Sequence, residues 1–167
     1  MLIFEKDLLP HKVDYIDIFN YICIIGNNIN SNYIYGLMCE ETNKIVLYSI
    51  DNDWVDIKSC PCALIYSLQK DNSDLYVCIQ FVATKYSCRK VGYASLFLRE
   101  FIGYIKEKYE TVHKGQIKLL LDSVMESVTF YENIGFRWVI DVEYKDLLDI
   151  PENDEVEHFI MVYDIVR

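Results

Sequence analysis

The chain has 167 residues, 52% of them hydrophobic, and a formal net charge of −10. This length fits one domain with a continuous core, so we expect residues 1–167 to form a single domain. The negative charge argues against nucleic-acid binding, which needs a basic face. No apolar run approaches the roughly 20 residues that span a bilayer, and the N-terminus lacks the pattern of a secretory signal. We therefore expect a cytoplasmic protein with no membrane contact.

The six cysteines are scattered, several of them within apolar segments where a thiol serves as a small hydrophobic side chain. Without a secretion signal we expect them to be reduced. Cys60 and Cys62 have the spacing of half a zinc site, but no second pair follows that would complete the ligand set. We therefore predict no metal site.

The charges are unevenly distributed along the chain. Lys85, Arg89 and Lys90 surround one short polar loop. By contrast, Asp51, Asp53 and Asp56 lie close together in sequence, and residues 141–157 hold eight acids against a single lysine. Acidic clusters attract cationic ligands, although they also serve solubility alone.

The N-terminal part reads as a strand, a helix and a hairpin. Leu2–Phe4 has the composition of a short edge strand. Val13–Ile25 has apolar residues on two faces at helical spacing, which predicts a largely buried helix. Tyr33–Cys39 and Lys44–Ile50 flank a short polar segment, which predicts an antiparallel hairpin.

The middle of the chain changes from strand to helix periodicity. Ala63–Gln69 and Leu75–Val82 predict a second hairpin. From Gly92 onward, apolar residues recur at steps of three or four, as in a helix packed on a sheet. Ile117–Leu121 is a short, mostly apolar strand, and the crossover predicts that it runs parallel to Leu75–Val82.

The last part predicts a helix and a hairpin. Ser123 and Glu126 have the spacing of a capping box, so we expect a helix to begin at Ser123. Gly135 supplies the left-handed residue that ends it. Phe136–Glu143 and His158–Val166 then predict a final hairpin with a long acidic connection.

Two motifs carry a resemblance to a known family. Arg89–Ala94 matches an Arg/Gln-x-x-Gly-x-Gly/Ala turn between a strand and a helix, and Tyr131–Phe136 matches a Tyr-x-x-x-Gly-Phe closure. In this order the two motifs resemble the GNAT superfamily, whose members transfer an acyl group from coenzyme A to an amine. The resemblance extends from about Tyr33 to the C-terminus. It implies an α/β (α+β) fold with a mixed, mostly antiparallel sheet, a parallel splayed strand pair and helices on both faces.

The resemblance also implies acetyl-coenzyme A as the cofactor. Main-chain groups of the strand end pair with the pantetheine arm, the following turn cradles the pyrophosphate, and Lys85, Arg89 and Lys90 meet the remaining phosphate. The thioester then lies between Val82 and the start of the helix that we expect at Ser123. The residues so implied in cofactor binding are Phe81, Val82, Ala83, Arg89, Lys90, Val91, Gly92, Tyr93, Ala94 and Ser95.

The family's chemistry needs a proton donor and a proton acceptor. By the resemblance, Tyr131 is the general acid that protonates the departing thiolate. The carboxylate usual on the fourth strand is absent here, and the nearest acids in sequence are Asp74, Asp122 and Glu126. We take Asp122 as a tentative base, with a structural role at the strand end as its alternative.

The resemblance implies an N-acetyltransferase that acts on the primary amine of a cationic acceptor by direct attack in a ternary complex. A polyamine, another small amine, or a lysine or N-terminus of a basic protein fits this chemistry. The first alternative is a degenerate member that binds acyl-coenzyme A without turnover, and the second is a metal-binding module that uses Cys60 and Cys62. The sequence leaves the oligomeric state open, and a homodimer is among the arrangements it allows.

Overall fold

The computed structural model describes residues 1–26, 28–51, 56–140, 142–151 and 157–165, without the side chains of Leu9 and Val142. The strands are β1 (Leu2–Phe4), β2 (Lys44–Tyr48), β3 (Cys62–Asp71), β4 (Asp74–Thr84), β5 (Ile117–Ser123), β6 (Arg137–Val139) and β7 (Phe159–Ile165). The helices are α1 (Glu5–Leu8), α2 (Tyr15–Ile25), α3 (Ser31–Cys39), α4 (Tyr93–Tyr109), α5 (Val128–Ile134) and α6 (Val142–Leu147). Several predicted features lie outside the described residues, namely Asp53, Asp141, Val166 and the acids of residues 152–156.

The strands form a mixed sheet in the order β1-β2-β3-β4-β5-β7-β6. β2 pairs antiparallel with β1 and β3, and β7 pairs antiparallel with β5 and β6. β4 and β5 are parallel, with Leu75 opposite Ile117 and Ile79 opposite Leu121. The predicted fold class, a mostly antiparallel sheet with one parallel pair, is confirmed. Among the helices of the described ranges, none is long and apolar enough to cross a membrane.

Contacts within the chain divide it into two compact units. Unit 1 comprises Met1–Tyr66 and Phe81–Ile102, and unit 2 comprises Ser67–Gln80 and Gly103–Arg167. The single domain expected for residues 1–167 stays a prediction.

The core of unit 1 contains one face of α2. Ile18, Ile22 and Ile25 are buried there with residues of α3, β2 and β3. The helix was correctly predicted, and Asp14 caps it by accepting a hydrogen bond from Asp17 N at 2.8 Å. The prediction that the helix is largely buried is wrong, because the opposite face leaves Ile16 68% exposed.

The segment predicted as the strand Tyr33–Cys39 is helix α3 instead. Asn30 begins the helix, since its side chain accepts a hydrogen bond from Asn32 N at 2.8 Å. Ile34 and Met38, one helical turn apart, are buried in the core of unit 1. Capping and packing at this spacing outweigh the strand propensity of the aromatic and β-branched residues.

The first part of α4 belongs to unit 1 and packs where the periodicity predicted. Phe97, Leu98 and Phe101 have no exposed surface. The Phe97 ring lies 5.4 Å from that of Tyr48, and the Phe101 ring lies 4.9 Å from that of Tyr66. These contacts fix the start of α4 against β2 and β3.

In unit 2, β5 is the buried central strand that its composition predicted. Cys78 of β4 and Leu120 of β5 pack with Tyr144 of α6 in one core cluster. The final hairpin is confirmed by the pairing of β6 with β7. However, β6 ends at Val139 rather than Glu143, and the connection contains α6.

The helix predicted to begin at Ser123 begins five residues later in the chain, at Val128. Ser123 is still part of β5, where it pairs with Phe159 of β7, and its hydroxyl donates to Val124 O at 2.8 Å. Strand pairing therefore uses the residue that would have capped the helix. Gly135 ends α5 in the left-handed conformation, with φ of 118°, as predicted.

Candidate functional site

The loop after β4 is a turn with two left-handed residues. A short 3-10 turn spans Tyr86–Cys88, and Lys90 and Gly92 then have φ of 63° and 95°. The left-handed conformation costs a lysine roughly 1 kcal/mol, and such strained backbone clusters at ligand sites. At Gly92 a Cβ would meet nothing within 4 Å, so a ligand has room to approach the main chain there.

This turn leads directly into the N-terminus of α4, a helix of 17 residues. Leu96 N donates to Gly92 O at 3.1 Å. The N–H groups of residues 93–95 precede this bond and therefore lack an intrahelical acceptor. Unpaired N–H groups and the positive end of the helix dipole favour phosphate.

Three cationic side chains lie around the turn. Arg89 is exposed, donates from Nε to Thr84 O at 3.2 Å and lies 5.4 Å from the centroid of the Tyr86 ring. Lys85 donates from Nζ to Lys58 O at 3.4 Å. Lys90 is exposed. Arg89 and Lys85 are thus each held by a main-chain carbonyl, which limits their freedom before any anion binds.

The end of β4 offers main-chain groups rather than side chains. The Phe81 side chain is buried in the core of unit 1, where a Cβ on Gly26 would lie 3.0 Å from its Cζ. The recorded pairing between β4 and β5 ends at Ile79 and Leu121, although β4 continues to Thr84. Residues 81–83 therefore lie beyond the part of β4 that pairs with β5.

Tyr131 lies in unit 2, on α5, and only 7% of it is exposed. Its ring packs edge-on against Phe130 at 5.1 Å and Phe136 at 5.7 Å. Burial raises the pKa of Tyr131 to about 12, so the phenol is protonated throughout the neutral range. Among the described residues, its hydroxyl has no hydrogen-bond partner.

Asp122 and His158 form a hydrogen-bonded pair in unit 2 that sequence reasoning missed. Asp122 Oδ2 lies 2.5 Å from His158 Nδ1, and its other oxygen accepts from Phe159 N at 3.2 Å. The two side chains are 33% and 13% exposed. The pairing of β5 with β7 brings these residues together across 36 positions of sequence, which no local motif signals.

Comparison by sequence identifies no relative. No protein-family model matches the chain, and no curated protein matches it.

Comparison by structure gives clear matches. Gcn5 from Tetrahymena has a TM-score of 0.62 at 13% identity, over 97% of this chain and 90% of that one. A proposed N-acetyltransferase from Lactobacillus plantarum has a TM-score of 0.64 at 11% identity, over 99% and 98%. Naa50 from Arabidopsis thaliana, solved with the bisubstrate analogue CoA-Ac-MVNAL, has a TM-score of 0.57 at 15% identity, over 92% and 95%. The chain has the GNAT fold.

The GNAT fold confirms the resemblance that the two motifs carried, while the roles of individual residues stay predictions. The predicted cofactor residues Phe81–Ala83 and Arg89–Ser95 lie together in unit 1. Tyr131 and Asp122 lie in unit 2. Asp74, another of the three acids nearest in sequence, accepts from Gln116 N at 2.8 Å and so has a structural partner.

The metal-binding alternative gains no support from the geometry. Cys60 and Cys62 are fully buried. Within the described ranges, no group of histidine, cysteine and acidic side chains is arranged to hold a metal ion.

Proposed function

We propose that this GNAT-fold protein is an acetyl-coenzyme A dependent N-acetyltransferase. The observation that carries the proposal is the strained Lys90–Gly92 turn, open at Gly92, that leads into the N-terminus of α4. A turn of this kind fits a pyrophosphate, because it presents main-chain N–H groups without a side chain in the way. Acetyl-coenzyme A supplies the acetyl group as an activated thioester.

Unit 1 would hold the cofactor by main-chain and charged groups. The N–H groups of residues 90–95 bind the pyrophosphate, and the main chain of Phe81–Ala83 pairs with the amides of the pantetheine arm. Lys85, Arg89 and Lys90 provide the positive charge for the remaining phosphate. The side chain of Phe81 takes no part, because it is buried in the core.

Tyr131 would act as the proton donor to the leaving sulfur. A phenol whose pKa is raised to about 12 is fully protonated at neutral pH, so the donor form is present in every turnover. It is also a weaker acid than an exposed phenol. Tyr131 therefore stabilises the sulfur by hydrogen bonding as negative charge develops and completes the proton transfer late.

The acceptor would be a cationic amine. The net charge of −10 favours approach of cations over anions. Two proteins of this fold have been solved with peptides or peptide-derived compounds, Naa50 with CoA-Ac-MVNAL and the NatC complex with a Gag peptide. A lysine or N-terminus of a basic peptide and a polyamine both meet these requirements.

A second candidate is a protein that binds acyl-coenzyme A without turnover. It is favoured by one observation, the absence of any carboxylate in β4 after Asp74. Both candidates require the same cofactor site, so turnover and not binding separates them.

The test has two stages. Calorimetry with acetyl-coenzyme A first measures binding, with desulfo-coenzyme A as a second ligand that keeps every phosphate. A thiol-release assay then follows turnover with polyamines, arylamines, aminoglycosides and basic peptides. Cofactor binding with release of the coenzyme A thiol in the presence of a cationic amine supports the enzyme, and cofactor binding without thiol release in the presence of any acceptor supports the second candidate. If neither ligand binds, both candidates are wrong.

A further inference from the structure

Helix α2 is hydrophobic around most of its circumference, but the core of unit 1 covers only one side of it. Every residue of α2 except Asp17 and Asn20 is hydrophobic. Ile16 and Ile24, two turns apart on one face, are 68% and 66% exposed. A helix that is hydrophobic all round is normally covered on every side. The exposed face of α2 therefore has the composition of a surface that another molecule covers.

Helix α3 extends this surface within unit 1. The Tyr15 hydroxyl of α2 donates to Met38 O of α3, and the Phe19 ring lies edge-on to that of Tyr35 at 5.9 Å. These two contacts show that α2 and α3 lie side by side and run antiparallel. Tyr15 and Tyr35 are exposed, and Phe19 is partly exposed. The residues that form this α2–α3 surface are Tyr15, Ile16, Phe19, Ile24 and Tyr35.

One end of the α2–α3 surface is acidic. Asp14 and Asp17 lie at the N-terminus of α2, Glu40 and Glu41 follow α3, and all four are exposed. Because the two helices are antiparallel, the start of α2 and the end of α3 lie at the same end of the helix pair. Residues 13–43 contain no lysine, arginine or histidine. The surface thus combines apolar side chains with negative charge alone.

The acids after α3 oppose the helix dipole. Glu40 and Glu41 follow its C-terminus, where the negative end of the dipole disfavours carboxylates, and the last turn of α3 carries no base. Lys44, the next base along the chain, interacts with Glu5 of α1. A cation supplied by a bound partner would therefore stabilise this end of the helix pair.

We propose that the α2–α3 surface binds a basic amphipathic helix of a partner protein. The apolar face of such a helix covers the exposed apolar side chains, and its cations meet the four acids. A second copy of this chain fits less well, because a symmetric contact uses the same surface twice and that surface offers no base. An anionic membrane is repelled by the acids. This binding does not depend on the proposed acetyl transfer.

The probe is a synthetic helical peptide of leucine and arginine. A length of about 18 residues gives an amphipathic helix of useful stability. Its N-terminus is acetylated, so it contains no primary amine and cannot serve as an acetyl acceptor. A peptide of leucine and glutamate with the same spacing is the control ligand. Fluorescence anisotropy measures affinity, and amide NMR shifts of the wild-type protein locate the contact.

The first variant removes the apolar contact. Ile16→Ser combined with Ile24→Ser should weaken binding of the arginine peptide by about tenfold or more, since two exposed isoleucines no longer become buried. Val112→Ser combined with Ile140→Ser is the matched control, because it replaces two exposed hydrophobic residues of unit 2. The control should bind within about twofold of the wild-type protein.

The second variant removes charge. Asp17→Asn combined with Glu40→Gln should weaken binding by about threefold to tenfold at low salt, and the difference should shrink at high salt. Glu107→Gln combined with Glu132→Gln changes the net charge equally at exposed positions elsewhere and should have a smaller effect. The glutamate peptide should bind at least about tenfold more weakly than the arginine peptide.

Several results overturn the proposal. The arginine peptide does not bind, it binds no better than the glutamate peptide, or each variant binds as its matched control does. NMR shifts that lie outside residues 14–41 contradict it without any variant. A wild-type dimer in sedimentation equilibrium that Ile16→Ser with Ile24→Ser dissociates would assign the surface to a second copy instead. Cosedimentation with anionic vesicles that the same variant abolishes would assign it to a membrane. Each of these results leaves acetyl-coenzyme A binding and thiol release unaffected, so none is a failure of the proposed function.

Discussion

The ring of Tyr131 packs edge-on against the ring of Phe136, with centroids 5.7 Å apart and planes at 70°. The carbonyl of Tyr131 also accepts from the N–H groups of Gly135 and Phe136 at 3.2 and 3.1 Å. The residues that end α5 therefore also pack against the Tyr131 ring. Tyr131 is held by its ring and main chain, which leaves its hydroxyl available for chemistry.

Tyr131→Phe should therefore separate chemistry from folding. The ring contacts survive the change, so we expect the free energy of unfolding to change by less than about 1 kcal/mol. We expect kcat to fall by about 10²-fold or more, because the proton donor is lost, with cofactor affinity nearly unchanged. Tyr163→Phe is a matched control, because the Tyr163 ring packs on the same Phe136 at 5.4 Å. Equal turnover in the two variants would refute the role of Tyr131.

Arg89→Ala should weaken acetyl-coenzyme A binding by about tenfold. The guanidinium lies beside the turn that we propose for the phosphates, and a charged hydrogen bond is typically worth about 1.5 kcal/mol or more. Arg99→Ala, an exposed change on α4, should bind as the wild-type protein does. Calorimetry at two salt concentrations measures the effect, and the difference between the variants should shrink at high salt. Equal affinities at low salt would exclude Arg89 from the phosphate site.

Gly115→Ala should destabilise the protein strongly. A Cβ at Gly115 would lie 1.6 Å from the carbonyl oxygen of Ser73, so the main chain must move. We expect a loss of about 3 kcal/mol in urea unfolding, which is typical of overpacking against backbone.

Gly103 provides the opposite case within the same chain. It lies in α4, and a Cβ there would meet nothing within 4 Å. Gly103→Ala should therefore stabilise the protein by up to about 1 kcal/mol through helix propensity alone. Similar losses at both positions would contradict the packing described around Ser73.

Stability should fall at alkaline pH because of the buried thiol Cys78. Burial raises the pKa of the Cys78 thiol to about 12, from an ordinary value near 9.0. Above about pH 9 the unfolded chain releases this proton while the folded protein keeps it, so rising pH favours unfolding. The contribution is complete below pH 9 and is lost as the pH rises toward 12, with a slope of about 1.4 kcal/mol per pH unit.

Urea unfolding of Cys78→Ala from pH 8 to about pH 10.5 measures this term. The variant should be less stable than the wild-type protein at pH 8, because a core side chain is shortened. Its stability should then fall less steeply with pH. The exposed Cys39, changed to Ala, is the control. Parallel slopes in all three proteins would show that Cys78 does not titrate as described.

Much of the sheet was predictable because its strands obey local rules. The apolar run Ile117–Leu121 and the crossover before it were enough to predict a strand parallel to β4. The Arg89–Ala94 turn was found from one glycine and its neighbours, because its conformation needs a residue without a side chain at Gly92. These features depend on residues that are close in sequence.

The wrong predictions have the opposite cause, because they depend on residues that are distant in sequence. Tyr33–Cys39 has the composition of a strand, and the burial of Ile34 and Met38 at helical spacing becomes decisive only in the folded core. Ser123 remains in β5 because of its pairing with Phe159, 36 residues away. The same long-range pairing creates the Asp122–His158 contact. Sequence reasoning found each residue's local preference but not the partner that overrides it.

The most direct test of the central claim is transfer of a labelled acetyl group. The protein is incubated with acetyl-coenzyme A that carries a labelled acetyl carbon and with the cationic amine that gives the fastest thiol release. We predict that label appears on the amine nitrogen in a one-to-one ratio with released thiol. In Arg89→Ala and in Tyr131→Phe, acetyl transfer and thiol release should be slowed by the same factor. Release of thiol with no labelled amine, or no release with any acceptor, would contradict the account.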